Sequence, residues 1–278
     1  MTYAPNVLHD GVTFAEYIKA PGINASGLKE VARSPQHYLA SLRREDKPTP
    51  AKQLGTLIHA AVLEPERFEK FATVKPDMDL RTKVGKEANA EWKASLTPES
   101  IEIPDADTLA TLRRMIEKVH GYPAARRLLE KGKRETTLFW DDPRTHVLCK
   151  ARPDFFSATG IPVDLKTARD ARPDAFSKAV WEYRYDIQAV HYLGGFKTAG
   201  LSDGEEFAWL VIENEPPHEI AVFTAGISVM SIGKEWHDRA MDVYAECVKT
   251  GVWPGYERKA NILSMPVWAK GVYDARDM

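Results

Sequence analysis

Two short runs in the middle of the chain, Lys150-Ala151-Arg152-Pro153-Asp154 and Asp164-Leu165-Lys166, restrict its arrangement severely. Residues 136–150 are apolar and rich in strand formers, and Pro153-Asp154 closes that run. Phe155 and Phe156 follow, Ala158-Thr159-Gly160 turns the chain, and Ile161-Pro162-Val163-Asp164-Leu165-Lys166 runs back as a second strand. Side chains on a strand alternate between faces, so Asp164 and Lys166 share one face while Val163 and Leu165 share the other. If the two runs pair as a hairpin, Asp154 sits beside Asp164. Two carboxylates with a lysine at hand suit Mg²⁺ and a phosphodiester. A hard dication takes a few carboxylate oxygens and completes its shell with water and phosphate oxygens. It polarises the phosphate and lowers the pKa of bound water. The lysine can orient that water or neutralise developing charge. The same residues also make a plain ion pair at a strand end, so the motif needs support from the rest of the chain.

The chain has 278 residues, enough for one large domain or two small ones. No linker long enough to separate two domains is evident, so 1–278 reads as a single domain. Its parts are a mostly helical 1–134, a sheet core over 135–225, and a C-terminal helix with an aromatic tail over 226–278. Net charge is −2 and the pI about 6.5, so any contact with nucleic acid must come from a local patch. The two cysteines, Cys149 and Cys247, cannot make a four-cysteine zinc or iron–sulfur site and suggest no disulfide framework. A reduced, cytoplasmic setting is therefore expected. Residues 1–10 lack the pattern of a signal peptide. No stretch approaches the roughly 18 apolar residues of a membrane span.

Along the chain, residues 12–18 have helical spacing, and Asn24 or Ser26 can cap a helix carrying Leu28, Val31 and Ala32. Pro35 opens another, with His37, Tyr38 and Leu42. Residues 47–50 form a loop. Residues 53–65 read as a buried helix through Leu54, Leu57, Ile58, Ala61 and Val62, with Pro65 as its limit. His59 lies in that helix and alone reads as a hydrogen-bonded core histidine. Gly55 would let a backbone or a substrate approach closely. Residues 71–104 read as polar and irregular, with Lys75, Arg81, Lys83 and Lys86 around Gly85 either in a solvated loop or in contact with a DNA strand. Trp92 packs on its own helix or stacks on a base. A helix over 105–121 carries Leu109, Leu112, Met115, Ile116 and Val119. A second over 123–130 ends at Lys131-Gly132 as a C-cap. Strands follow at 135–140 and 146–152 around a turn. Glu135 is either a further acid near the metal or a solvent-facing strand end. Helices begin near Pro173 and near Tyr185. In the latter Gln188 and Tyr192 stand at i and i+4, on one face. Strands at 207–212 and 219–223 flank Pro216-Pro217. A final helix uses Val229, Ile232, Trp236, Ala240, Val243, Tyr244 and Val248 and ends at Gly251. The aromatic runs Trp253-Pro254-Gly255-Tyr256 and Pro266-Val267-Trp268 pack on the body.

Taken in order, Gly55-Thr56-Leu57-Ile58-His59, Lys150 to Asp154, Asp164-Leu165-Lys166-Thr167 and Gln188-Ala189-Val190-His191-Tyr192 resemble the PD-(D/E)XK nuclease superfamily. Within it they resemble the phage and prophage exonuclease VIII, or RecE-type, branch. Ser26-Gly27-Leu28, Ser34-Pro35-Gln36-His37-Tyr38 and Trp253-Pro254-Gly255-Tyr256 fit the same branch, so the likeness spans residues 23–268. It implies an α/β fold: a small mixed sheet flanked by helices, with a largely helical N-terminal part. It implies His59, Asp154, Asp164 and the carbonyl of Leu165 as metal ligands and Lys166 as the catalytic lysine. Gln188 and Tyr192 would stand at the rim, near metal-bound water or DNA. The implied activity is Mg²⁺-dependent digestion, with Mn²⁺ as a possible substitute, of one strand of linear double-stranded DNA from its 5′ end. The 3′ tail would pass to a single-strand annealing protein. Ring-shaped homo-oligomers that thread DNA are the implied assembly, in a bacterial or phage setting.

Two other readings compete. One is an endonuclease of the same superfamily directed by DNA structure or sequence. The other is a DNA-binding module without catalysis. The complete set His59, Asp154, Asp164 and Lys166 argues against the latter, because a desolvated carboxylate pair is costly without a counter-ion.

Overall fold

A computed structural model describes residues 3–44, 49–203 and 205–257. The N-terminal third is helical because its sequence supplies a cap or a proline at nearly every start. After β1 (Leu8–His9), α1 (Phe14–Lys19) opens on a capping box between Thr13 and Glu16. Asn24 caps α2 (Ala25–Arg33), Ser34 caps α3 (Pro35–Leu42), and Thr49 caps α4 (Pro50–Leu63). The helix expected from residue 53 thus starts a turn earlier, because Thr49-Pro50 is a cap followed by a first-turn proline, not a loop. Pro65 ends α4 and also opens α5 (Pro65–Phe71), which buries Phe68.

Residues 71–104 are not irregular. β2 (Ala72–Val74) pairs in parallel with β3 (Ile101–Ile103), and α6 (Lys83–Ser95), which carries Trp92, lies between them. Strands of three residues are too short to show a period, which is why the sequence hides them. α7 (Ala106–Gly121) follows its Asp105 cap and buries Leu112, Met115, Ile116 and Val119. α8 (Pro123–Leu129) then gives way to β4 (Gly132–Arg134). Gly132 is therefore a strand residue and not a helix C-cap. Its backbone presses on β7 (Phe155–Ser157), where an added Cβ would lie 2.3 Å from the Phe156 carbonyl oxygen.

β5 (Thr137–Asp141) and β6 (Leu148–Ala151) form an antiparallel pair with β1 along the other edge of β5. This three-stranded sheet is separate from the one that carries the candidate motif. The latter has the order β10-β9-β8-β7-β4, with β8 (Pro162–Ala168), β9 (Ala208–Glu213) and β10 (Ile220–Thr224). Within this sheet β8 and β9 run parallel and the other described pairs antiparallel; α9 (Pro173–Glu182) and α10 (Tyr185–Thr198) make the crossover between β8 and β9. The long α11 (Ile227–Thr250) closes the described fold and ends at Gly251 in the left-handed conformation (φ 71°), as its sequence implies. Ile232 and Val248 are exposed instead of joining its buried stripe, at 42% and 56%. Among the described residues no helix is long and apolar enough to cross a membrane.

The five-stranded sheet divides two apolar cores by simple alternation. Phe155, Val163, Leu165, Ala208, Leu210 and Ile212 face one core, with α4, α5, α7 and α8. Phe156, Trp209 and Val211 face the other, with α2, α9, α10 and α11. Asp164 and Lys166 occupy the second face of β8, opposite Val163 and Leu165, as the period of two requires. Trp253 stacks on Tyr38 with ring centroids 5.5 Å apart, so the aromatic tail does pack on the body. Pro266-Val267-Trp268 lies outside the described residues.

Polar groups pin the N-terminal segment to the three-stranded sheet. The buried Lys150 ammonium donates to the carbonyls of Tyr17 (2.8 Å), Ile18 (3.2 Å) and Ala20 (2.6 Å), closing the end of α1. Deeper in, His191 Nε2 lies 3.3 Å from the Lys150 carbonyl oxygen, so that nitrogen carries the proton. His191 Nδ1 lies 3.2 Å from His237 Nε2, a contact that joins α10 to α11. Burial, and then the neighbouring His237, depress His191 to about 3. An unfolded histidine titrates near 6.5, so between these values the unfolded chain binds the extra proton. Stability should be intact above pH 6.5 and fall as pH drops, by about 1.4 kcal/mol per unit for this one group. Urea titrations across pH 7.5–5 should show a steeper loss for the wild type than for His191→Gln. Equal slopes would mean that His191 does not stay neutral in the folded protein.

Candidate active site

β7 and β8 pair through Phe155 with Val163 and Phe156 with Pro162. Extending that register by one residue sets Asp154 across from Asp164, as the hairpin reading expects. The ladder stops there. Beyond Val163 the free N–H of Leu165 donates to Asp154 Oδ2 at 2.7 Å, so the carboxylate replaces a strand partner. His59 approaches from α4, its Nδ1 3.5 Å from Asp154 Oδ1. It is half-buried at the junction of helix and strand ends. A side chain at Gly55, one turn earlier, would meet only Thr167 Oγ1, at 4.0 Å, so no other backbone presses on that glycine.

Asp164 is almost fully buried. Its Oδ1 accepts from Gln188 Nε2 at 2.6 Å, and its Oδ2 forms an ion pair with Lys166. Burial opposes the charge on Lys166, but Asp164 and then Asp154 outweigh it and hold the ammonium pKa above its ordinary value. Asp154 is treated the other way. Burial first, and the Asp164 charge second, push its carboxyl up to about 6, and His59, Lys166 and the Leu165 N–H only partly offset them. The site thus holds two carboxylates against one close ammonium.

Gln188 and Tyr192 do lie on one face of α10, but beneath the carboxylates and not at a rim, with exposures of 7% and 6%. Their helix face is the one packed on the sheet. Gln188 grips Asp164, and its Oε1 is buried without a hydrogen-bond partner. Tyr192 donates its hydroxyl to the Arg152 carbonyl at 3.2 Å, steadying the approach to Asp154. Arg152 itself is structural, bonding Thr137 Oγ1 (3.1 Å) and the Glu135 carboxylate (2.8 Å). Glu135 is thereby accounted for as the partner of Arg152.

Two residues escaped the sequence reading. Tyr185 lies three residues before Gln188 and seven before Tyr192, so its spacing announced the shared face. The Lys166 ammonium sits over its ring, 4.5 Å from the centroid. Lys29, from α2, reaches the same ring at 5.0 Å. Burial, and then the Lys166 charge, lower Lys29 to about 7. Nothing in its local sequence marks Lys29, since a lysine flanking a buried stripe ordinarily leads out to water.

The donors suit a hard dication in kind: two adjacent carboxylates with one imidazole nearby. They are not gathered into a closed shell. Among the described residues no group of three or more His, Cys, Asp or Glu could hold an ion as it stands. The reason is local: Asp164 is turned to Gln188 and Lys166, which leaves His59 and Asp154 facing each other. The under-compensated charge on Asp154 is what a cation between the two carboxylates would relieve.

A mixed sheet whose antiparallel β7–β8 pair presents Asp154, Asp164 and Lys166, with a helix behind them, defines a PD-(D/E)XK-type nuclease-like fold. Residues 24–266 match the family described as PDDEXK-like domain of unknown function (DUF3799), and the chain belongs to that family. A putative exonuclease from Eubacterium rectale has a similar crystal structure, with a TM-score of 0.59 at 14% identity over 96% of this chain and 98% of that one. A phage related exonuclease from Haemophilus somnus 129PT aligns more loosely, with a TM-score of 0.32 at 13% identity over 83% of this chain and 96% of the other. No curated protein sequence matches the chain.

Because the folded state raises the Asp154 pKa above an ordinary 3.8, ionising it at neutral pH costs folding free energy. Asp154→Asn should therefore raise stability at pH 7.5 in EDTA by roughly 1–3 kcal/mol, and the gain should vanish below pH 4. Thermal melts at the two pH values check this, and a destabilised Asn variant would show that Asp154 is well compensated.

Proposed function

We propose that this chain is a DNA nuclease that hydrolyses phosphodiester bonds at Asp154, Asp164 and Lys166. The observation that carries the reading is the desolvated carboxylate pair with a lysine on the same strand face, built into a fold of the PDDEXK-like family. Asp154, Asp164 and His59 would hold Mg²⁺, or Mn²⁺ in its place, with the Leu165 carbonyl as a further ligand. When bound, the ion would supply charge neutralisation at the phosphate and a more acidic water.

The chain's own groups do the rest. Gln188 fixes the Asp164 carboxylate through Oδ1, and Lys166 stands at Oδ2, next to where a scissile phosphate would meet the pair. The ammonium stays protonated because both carboxylates stabilise it, so it acts by its charge and its N–H donors and not as a base. Tyr185 packs on it and limits its rotation. Buried charges of this kind are worth more to a transition state than exposed ones, because water screens them less.

The resemblance to RecE-type enzymes favours linear duplex DNA as substrate, digested from the 5′ end, and the fold is one shared with a putative exonuclease from Eubacterium rectale. On that reading a single-strand annealing protein takes the 3′ tail, and the enzyme works as a homo-oligomer around DNA. Encirclement would also reduce the need for a basic surface on a chain of net charge −2.

A paired digestion tests this. Linear duplex labelled at the 5′ or the 3′ end, beside a covalently closed circle, is mixed with wild type or Asp164→Ala in Mg²⁺ or EDTA. Early Mg²⁺-dependent release of the 5′ label, an intact circle and an inactive variant are expected. A cut circle would instead identify an endonuclease, and bound but uncut DNA a binding module. Lys166→Ala should lower kcat by about a hundredfold or more while metal affinity stays within a few-fold. Loss of metal affinity in that variant would assign Lys166 to the metal shell.

A further inference from the structure

Two large aromatic side chains stand in water where α9 turns into α10: Trp181 is 57% exposed and Tyr183 is 56% exposed. The backbone between the helices explains why they stay there. Arg184 adopts the left-handed conformation (φ 53°, ψ 46°), which is strained for a residue with a Cβ. Its guanidinium is fixed by two bonds to the buried Asp186 carboxylate, at 3.0 and 2.8 Å. It is also flanked by the rings of Trp181 (4.9 Å) and Trp236 (4.3 Å). This pinned turn brings the Tyr183 ring onto Tyr185, with centroids 5.7 Å apart and planes inclined by 31°. Tyr185 is the ring that carries both Lys166 and Lys29. Tyr183, Tyr185, Lys29 and Lys166 therefore form one run of ring faces and cations that leads from solvent to the lysine beside Asp164, and Trp181, Arg184 and Trp236 form a second group at the same turn.

We propose that this rim binds a single DNA strand, with unpaired bases stacked on Tyr183 and Trp181 and the neighbouring phosphate drawn between Lys29 and Lys166. The inference rests on the nuclease reading and names where the strand to be cut, or the strand just freed, is held. A single strand is the occupant the chemistry favours. Bases in a duplex hide their faces in the stack, whereas unpaired bases offer a face to any exposed ring, whatever their identity. An apolar protein partner fits less well, because the rings are interleaved with cations and do not form one apolar patch. Glu182 and Asp186 offset part of the positive charge, so stacking and not ion pairing should dominate the outer part of the rim.

The test measures binding without cleavage. Fluorescein-labelled single-stranded and blunt duplex oligonucleotides of one sequence are titrated in EDTA against wild type, Tyr183→Ala, Tyr183→Phe and Trp181→Ala. KM and kcat for linear duplex are then measured in Mg²⁺. Loss of one stacking ring is expected to weaken single-strand binding about tenfold or more. Duplex affinity should change less, KM should rise with a much smaller change in kcat, and Tyr183→Phe should restore binding. Because Trp181 also packs on Arg184, the Tyr183 pair decides the matter if Trp181→Ala unfolds. Unchanged single-strand affinity and KM in Tyr183→Ala would overturn the proposal while leaving a cleaving enzyme a nuclease. Failure of the wild type to cleave, with Tyr183-dependent binding intact, would overturn the nuclease reading and keep the strand site. Unchanged DNA affinity with a shift in sedimentation from oligomer to monomer would show that the rim joins copies of the chain, and would also overturn it.

Discussion

The placing of two carboxylates on the buried end of a strand pair is what the rest of this structure answers to. A lone ionised carboxylate inside protein is prohibitively costly, and even a pair with one ammonium is marginal. Asp164 meets that cost with Gln188 and Lys166, and Asp154 with one backbone N–H and a histidine at longer range. The arrangement is unequal. Asp164 has a hydrogen-bond donor in Gln188 and an ammonium partner in Lys166, while burial and the Asp164 charge hold Asp154 above the ordinary carboxylate range. Incomplete compensation of this kind in a cluster of titratable groups is a mark of function more than of stability.

The scaffold that holds the pair is economical in its use of periodicity. β8 alternates Val163 and Leu165 into one core against Asp164 and Lys166 toward the other. α10 answers with Tyr185, Gln188 and Tyr192 on one face, which reach Lys166, Asp164 and the carbonyl before Pro153 in turn. The β8–α9–α10–β9 crossover makes the parallel pairing possible and also returns α10 directly behind the strand that carries the charges. Polar networks farther out, at Lys150 and the His191–His237 pair, tie β6 to α1 and α10 to α11. They keep α10 in register with the sheet without touching the site itself.

Much of this could be read from residues, and the limits have physical causes. The hairpin register, the faces of β8 and the shared face of Gln188 and Tyr192 follow from periods of 2 and 3.6, which sequence displays directly. The helix start at Asn24 followed from capping chemistry and the one at Pro35 from a first-turn proline. β2, β3 and β4 were hidden because three residues carry no period, and their pairing is decided by distant neighbours. Gly132 resembled a helix cap because the same residue serves a cap and a crowded strand equally well. The depth of Gln188 and Tyr192 was misjudged because a polar side chain on a helix is read as outward. Here a buried carboxylate offered it a partner inside.

The charge of the chain bears on how such a site could hold DNA. At −2 overall, long-range attraction to a polyanion is weak, so affinity must be local. The structure gathers Lys29 and Lys166 on one tyrosine ring, and Arg184 a turn away between two tryptophans. Cations held against ring faces are less hydrated than free ones and keep their charge aimed in one direction. The Lys29 ammonium, lowered to about 7 by burial and by Lys166, is the most exposed to this logic. Lys166 and Arg184 repel it while Asp164 and Asp186 attract it, so a phosphate arriving at Lys166 would add a further anion that favours the charged form of Lys29.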